Sequence, residues 1–67
     1  MKDELILNYI ANSIRNAGYD PYSQLHGYLN TGNVAYITRQ GDARNLIRSI
    51  DNSDIEAFVK TLNQNQS

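Results

Sequence analysis

The sequence predicts an all-α fold, a compact bundle of about four short helices that associates with itself. Three observations carry this expectation. Apolar residues recur at helical spacing near both ends of the chain. Glycine, Asp-Pro, Gly-Asp and Ser-Asp steps stand where helices would stop and start. The one segment of high β propensity, Val-Ala-Tyr-Ile-Thr at 34–38, has no second strand to pair with in this chain, unless it pairs with its own copy in another.

The first helix is expected over 2–17. Leu5, Ile6, Tyr9, Ile10, Ile14 and Ala17 follow the i, i+3, i+4 template, with Ser13 the one polar residue on that stripe. Asp3 and Glu4 in the first turn and Arg15 in the last suit the helix dipole. Gly18 follows as a left-handed stop. Leu7 and Ala11 fall off the stripe, either as surface residues or as a second contact face for a partner helix.

Asp20 as N-cap and Pro21 at the first helical position open a second helix, expected over 21–31. Tyr22, Leu25, Tyr28 and Leu29 form its stripe, and Gly32 ends it. Gly27 inside this helix costs about 0.5–1 kcal/mol relative to alanine, which suggests a close backbone approach, within the chain or between two copies. Residues 33–40 read as a packed loop with one helical turn, anchored by Val34, Tyr36 and Ile37.

The third helix is expected over 43–51, with Asp42 as N-cap and Ala43, Leu46, Ile47 and Ile50 inward. Ser53 and Glu56 have the spacing of a capping box, which places the fourth helix at 54–63 with Ile55, Phe58, Val59 and Leu62 inward. The expected core is Ile6, Ile10, Ile14, Leu25, Leu29, Ile47, Ile50, Phe58 and Val59. Residues 1–67 read as one domain, with 63–67 as a frayed polar tail.

Composition bounds the function. A chain of 67 residues buries only about 60% of its unfolded surface, and no cysteine is present to add a staple. Self-association is therefore expected, through Tyr22, Leu25, Gly27, Tyr28 and Tyr36. A net charge of -1 gives no field to draw nucleic acid or an acidic membrane. No apolar run reaches membrane-spanning length, and the N-terminal residues do not read as a signal peptide, so a cytoplasmic protein is expected.

Catalytic and metal sites are not legible. His26 is the only histidine and has no partner at ligand spacing. No nucleophile and base form a pair, and Asp51, Asp54 and Glu56 are explained by their place at a helix start. The glycines form no phosphate loop. No enzyme, no cofactor and no metal are expected. Arg39, Arg44 and Arg48 are the one basic concentration, a candidate contact for phosphate or a partner. Beside the tyrosines they also support an alternative reading as a small nucleic-acid-binding domain, which the near-neutral charge disfavours.

The stretch GYDPYSQLHGYLNTGNVAYI at 18–37, followed by ARNLIR at Ala43–Arg48, resembles the IreB family of small regulatory phosphoproteins of Gram-positive bacteria. The matched positions are Gly18, Tyr19, Pro21, Gln24, Gly27, Tyr28, Leu29, Gly32, Ala35, Tyr36, Ala43, Arg44, Ile47 and Arg48. The sequence departs from the family pattern in three places. Asn33-Val34 replaces Asp-Pro, His26 replaces an apolar residue, and Asn52-Ser53 replaces Arg-Asp. The family's target threonines have no counterpart ahead of Thr31, so no phosphoacceptor is assigned. The resemblance implies a non-enzymatic, self-associating helical domain. It also implies action downstream of a cell-wall-sensing Ser/Thr kinase, with an effect on tolerance to cell-wall antibiotics. The implied partners are a second copy and a kinase or other signalling protein.

Overall fold

The computed structural model describes residues 3–65, with side chains placed through residue 63. Four α-helices and two short 3-10 turns follow one another: α1 (Glu4–Asn16), α2 (Pro21–Thr31), turns at Val34–Tyr36 and Gln40–Asp42, α3 (Ala43–Arg48) and α4 (Asn52–Asn65). No strand occurs among the described residues, and the 33–40 loop carries the helical turn expected of it.

The glycine and Asp-Pro signals act as their chemistry requires. At the end of α1, Gly18 takes φ +89, its N–H donates to the Arg15 carbonyl at 2.9 Å, and the Tyr19 N–H donates to the Ile14 carbonyl at 3.1 Å. This pair of bonds is a Schellman motif, and it satisfies carbonyls the helix end would leave open. At the start of α2, the Asp20 carboxylate accepts from the Ser23 N–H at 2.9 Å. Pro21 stands at the first helical position, where its missing N–H costs nothing.

The core gathers residues from every helix: Leu7, Ile10, Ala11 and Ile14 of α1, Leu25 of α2, Ala43 and Ile47 of α3, and Ile55, Phe58, Val59 and Leu62 of α4, with Ile37 and Ile50 from the connections. α2 lies along α4, and α1 packs on α3, α2 and α4. Ile6 and Leu29, expected in the core, are only half-buried against it.

The inward face of α1 differs from the expected stripe. Leu7 and Ala11 are buried, whereas Leu5 is 80% and Tyr9 50% exposed. Apolar residues cover more than half the circumference of this helix, so two overlapping arcs both satisfy the i, i+3, i+4 rule. Contact with α2, α3 and α4 selects the arc centred on Ile10 and Ile14. Ser13 is also buried, and its hydroxyl donates to the Tyr9 carbonyl at 3.0 Å.

Three boundaries are corrected. α3 ends at Arg48 rather than 51, because Ser49 turns back and donates its hydroxyl to the Leu46 carbonyl at 2.7 Å. α4 opens at Asn52, with the Asp51 carbonyl accepting from Asp54 and Ile55 at 3.0 and 3.1 Å. Ser53 therefore lies inside the first turn, and the expected Ser53–Glu56 capping box is not the start of the helix. The helix continues through Asn65, past the expected start of a frayed tail at 63, while 66–67 fall outside the described residues. Asp42 precedes α3 but makes no capping bond. It adopts φ 62, and its carboxylate accepts from the Asn45 side chain at 2.8 Å.

Candidate interaction surface

Beyond the 3-10 turn at Val34–Tyr36, the segment at 33–39 has no regular pairing of its own, so its other backbone groups must be satisfied from elsewhere. Asn33 starts it by accepting from the Ala35 N–H at 2.9 Å through its side chain. From α2, the Gln24 side-chain oxygen accepts the Thr38 N–H at 2.8 Å. From α3, Arg44 Nε donates to the Ile37 carbonyl at 2.8 Å, and Nη2 reaches the Ala35 carbonyl at 3.4 Å. Ile37 is buried between these two attachments. The segment is thus strapped to both helices.

The strap explains the glycine inside α2. A Cβ at position 27 would lie 2.7 Å from Tyr36 Cδ1 and 3.1 Å from Cγ. The Tyr36 ring therefore rests on the bare backbone of Gly27. The close approach expected at Gly27 lies within one chain, so it gives no support to a crossing between two copies.

Between the first turns of α2 and the strap lies an open hollow of about 640 Å³. Its walls include Tyr19, Ser23, Gln24, Tyr36, Arg39 and Arg44. None of its lining residues is a carboxylate. Tyr19 and Tyr36 are 60% and 49% exposed, an aromatic pair that the core does not use.

The residues expected at an interface separate into three groups. Leu25 is fully buried inside the chain, and Gly27 is covered by Tyr36. Tyr22 and Tyr28 are half-buried against the core, and Tyr22 stacks on His26 with ring centroids 5.5 Å apart. Only Tyr36 of the five stands exposed at the hollow. The three arginines also part company. Arg39 and Arg44 line the hollow, while Arg48 is exposed on α3 away from it. Tyr19 is a wall residue that the sequence reading did not single out as a site, because a tyrosine just after a helix stop carries no periodic signal.

The IreB regulatory phosphoprotein family model matches residues 1–63. The chain belongs to the IreB family. The match spans α1 through α3 and most of α4, so the strap and the hollow both fall within the IreB-type domain. A regulatory role follows from that membership. Among the described residues, no group of three or more histidines and carboxylates is placed to hold a metal ion, and no helix is long and apolar enough to cross a membrane.

Proposed function

We propose that this IreB-family chain is a non-enzymatic regulatory domain that acts through protein contacts, downstream of a cell-wall-sensing Ser/Thr kinase, and that it affects tolerance to cell-wall antibiotics. The family match over residues 1–63 carries this reading. The surface supports it: exposed aromatic rings and two arginines border an open hollow, the residue types that protein contacts favour.

The active form in this reading is a homodimer. The apolar surface that the core leaves free on α1, Leu5 and Tyr9, is the part best suited to meet a second copy, since a two-fold dimer brings one patch against itself. Its contact replaces the expected one through Leu25 and Gly27, which the chain uses internally.

The reading is tested in cells. Deleting the gene shifts the inhibitory concentration of a cell-wall-active antibiotic, supplying the chain restores it, and deleting the kinase as well adds no independent shift. Unchanged tolerance on deletion would overturn the regulatory assignment. Sedimentation equilibrium on wild type and Leu5→Glu tests the dimer, and a monomer across about 0.1–1 mM would remove it.

A further inference from the structure

The geometry points to the hollow as a docking site for a phosphorylated serine or threonine on a segment of another protein. This rests on the protein-contact reading above and names the chemistry of the partner. Two arginines, Arg39 and Arg44, enter the wall, and no lining residue carries negative charge. The Asp20 carboxylate is not part of the lining and accepts from the Ser23 N–H and hydroxyl at 2.9 and 3.0 Å.

The two arginines play different parts. Arg44 is half-buried and held by its bonds to the Ile37 and Ala35 carbonyls. Those bonds occupy two of the five N–H donors of a guanidinium, and the planar fork presents the rest at little further cost in entropy. The Arg39 side chain is exposed and makes no hydrogen bond or ion pair among the described residues. One arginine is fixed in advance, and the other is free to close on a ligand.

Charge and size decide the occupant. A carboxylate brings one charge, and exposed arginine–carboxylate pairs are weak. A phosphate monoester brings about -1.5 to -2 and three strong acceptor oxygens, enough for two guanidinium groups at once. The hollow of about 640 Å³ far exceeds one phosphate group. Its exposed tyrosines, Tyr19 and Tyr36, supply flat apolar walls and hydroxyl donors for the residues on either side of the phosphate. A peptide segment uses that space, whereas free phosphate does not.

The test is an ¹⁵N NMR titration of the full chain. The probe is a degenerate heptapeptide pool with phosphoserine or phosphothreonine fixed at the centre. The same pool without phosphate, inorganic phosphate and a single-stranded oligonucleotide are run beside it. The phosphorylated pool is expected to move the amides of Tyr36, Thr38 and Arg39. Arg39→Gln should weaken this binding about tenfold, while Lys60→Gln, an exposed site on α4, leaves it unchanged. The proposal is overturned by silence at those amides up to millimolar pool, by equal shifts without phosphate, by equal binding of inorganic phosphate, or by tighter binding of the oligonucleotide. In cells, a deletion effect on tolerance that Arg39→Gln fully restores would overturn the docking site while leaving the regulatory reading standing.

Discussion

Gly41 lies directly over the Ser13 hydroxyl of α1: a Cβ on Gly41 would collide with that oxygen and come within 3.0 Å of the Tyr9 hydroxyl. Gly41 also holds φ +64, in the left-handed region. Two separate penalties therefore meet at one residue. Alanine there pays about 1–2 kcal/mol for the backbone and about 1–3 kcal/mol for the overlap. Gly41→Ala is expected to lose about 2–5 kcal/mol in urea denaturation, a large share of the stability of so small a domain. A loss below about 0.5 kcal/mol would mean that the loop shifts away without cost.

The Tyr36 ring over Gly27 gives a prediction that differs between two backgrounds. In the wild type, Gly27→Ala gains helix propensity of about 0.5–1 kcal/mol but pushes the ring away. With Tyr36→Ala already in place, only the propensity gain remains. The double-mutant cycle should therefore show a coupling of about 0.5–3 kcal/mol between the two positions. Additive effects would place the ring elsewhere in solution.

On α1, the buried arc and the exposed one are separated by two neighbouring substitutions. Leu7 is fully buried and Leu5 is 80% exposed. Leu7→Ala is expected to cost about 2–5 kcal/mol, and Leu5→Ala about 0.5 kcal/mol or less when measured on dilute protein. Similar costs at both positions would show that α1 presents the other arc.

Asp54 makes stability depend on pH. A side-chain hydrogen bond with Asp3 is the largest cause that holds its carboxyl above the ordinary 3.8, followed by partial desolvation and the negative charges of Asp3 and Asp51. A carboxyl whose folded pKa is raised binds its proton more tightly in the folded state. Its contribution is complete below the unfolded pKa and is lost as pH rises through the folded value. Relative to Asp54→Asn, the wild type should therefore gain stability as pH is lowered from 7 toward 4. Denaturation midpoints of the two proteins at pH 7, 5 and 4 check this, and a gap constant across the series would count against the Asp3 contact.

Much of this fold was legible because helix ends are written in local chemistry. Asp20-Pro21, Gly18 and Gly32 each act through bonds that span only a few residues, and each sits where the sequence places it. The inward arc of α1 was not legible, since Leu5 and Leu7 satisfy competing periodic patterns and only the neighbouring helices discriminate between them. The start of α4 was obscured for a related reason: Asp51 and Ser53 both belong to the residue types that cap helices, and the first helical bonds run to the Asp51 carbonyl. The hollow was visible only in part. Its arginines stood out as a basic concentration, but the bonds from Gln24 and Arg44 that shape it join residues 14 and 7 positions apart, and no short-range pattern announces them.

Because the core takes Leu7 from one end of the chain and Leu62 from the other, neither half holds a nucleus of its own. A nick at the exposed Asn33, between α2 and the strap, would divide the apolar cluster into two incomplete sets. Each fragment alone would be an unstructured peptide. Mixed together, the two would regain helicity in one bimolecular step, and reporter halves fused to them would light up only on that reunion.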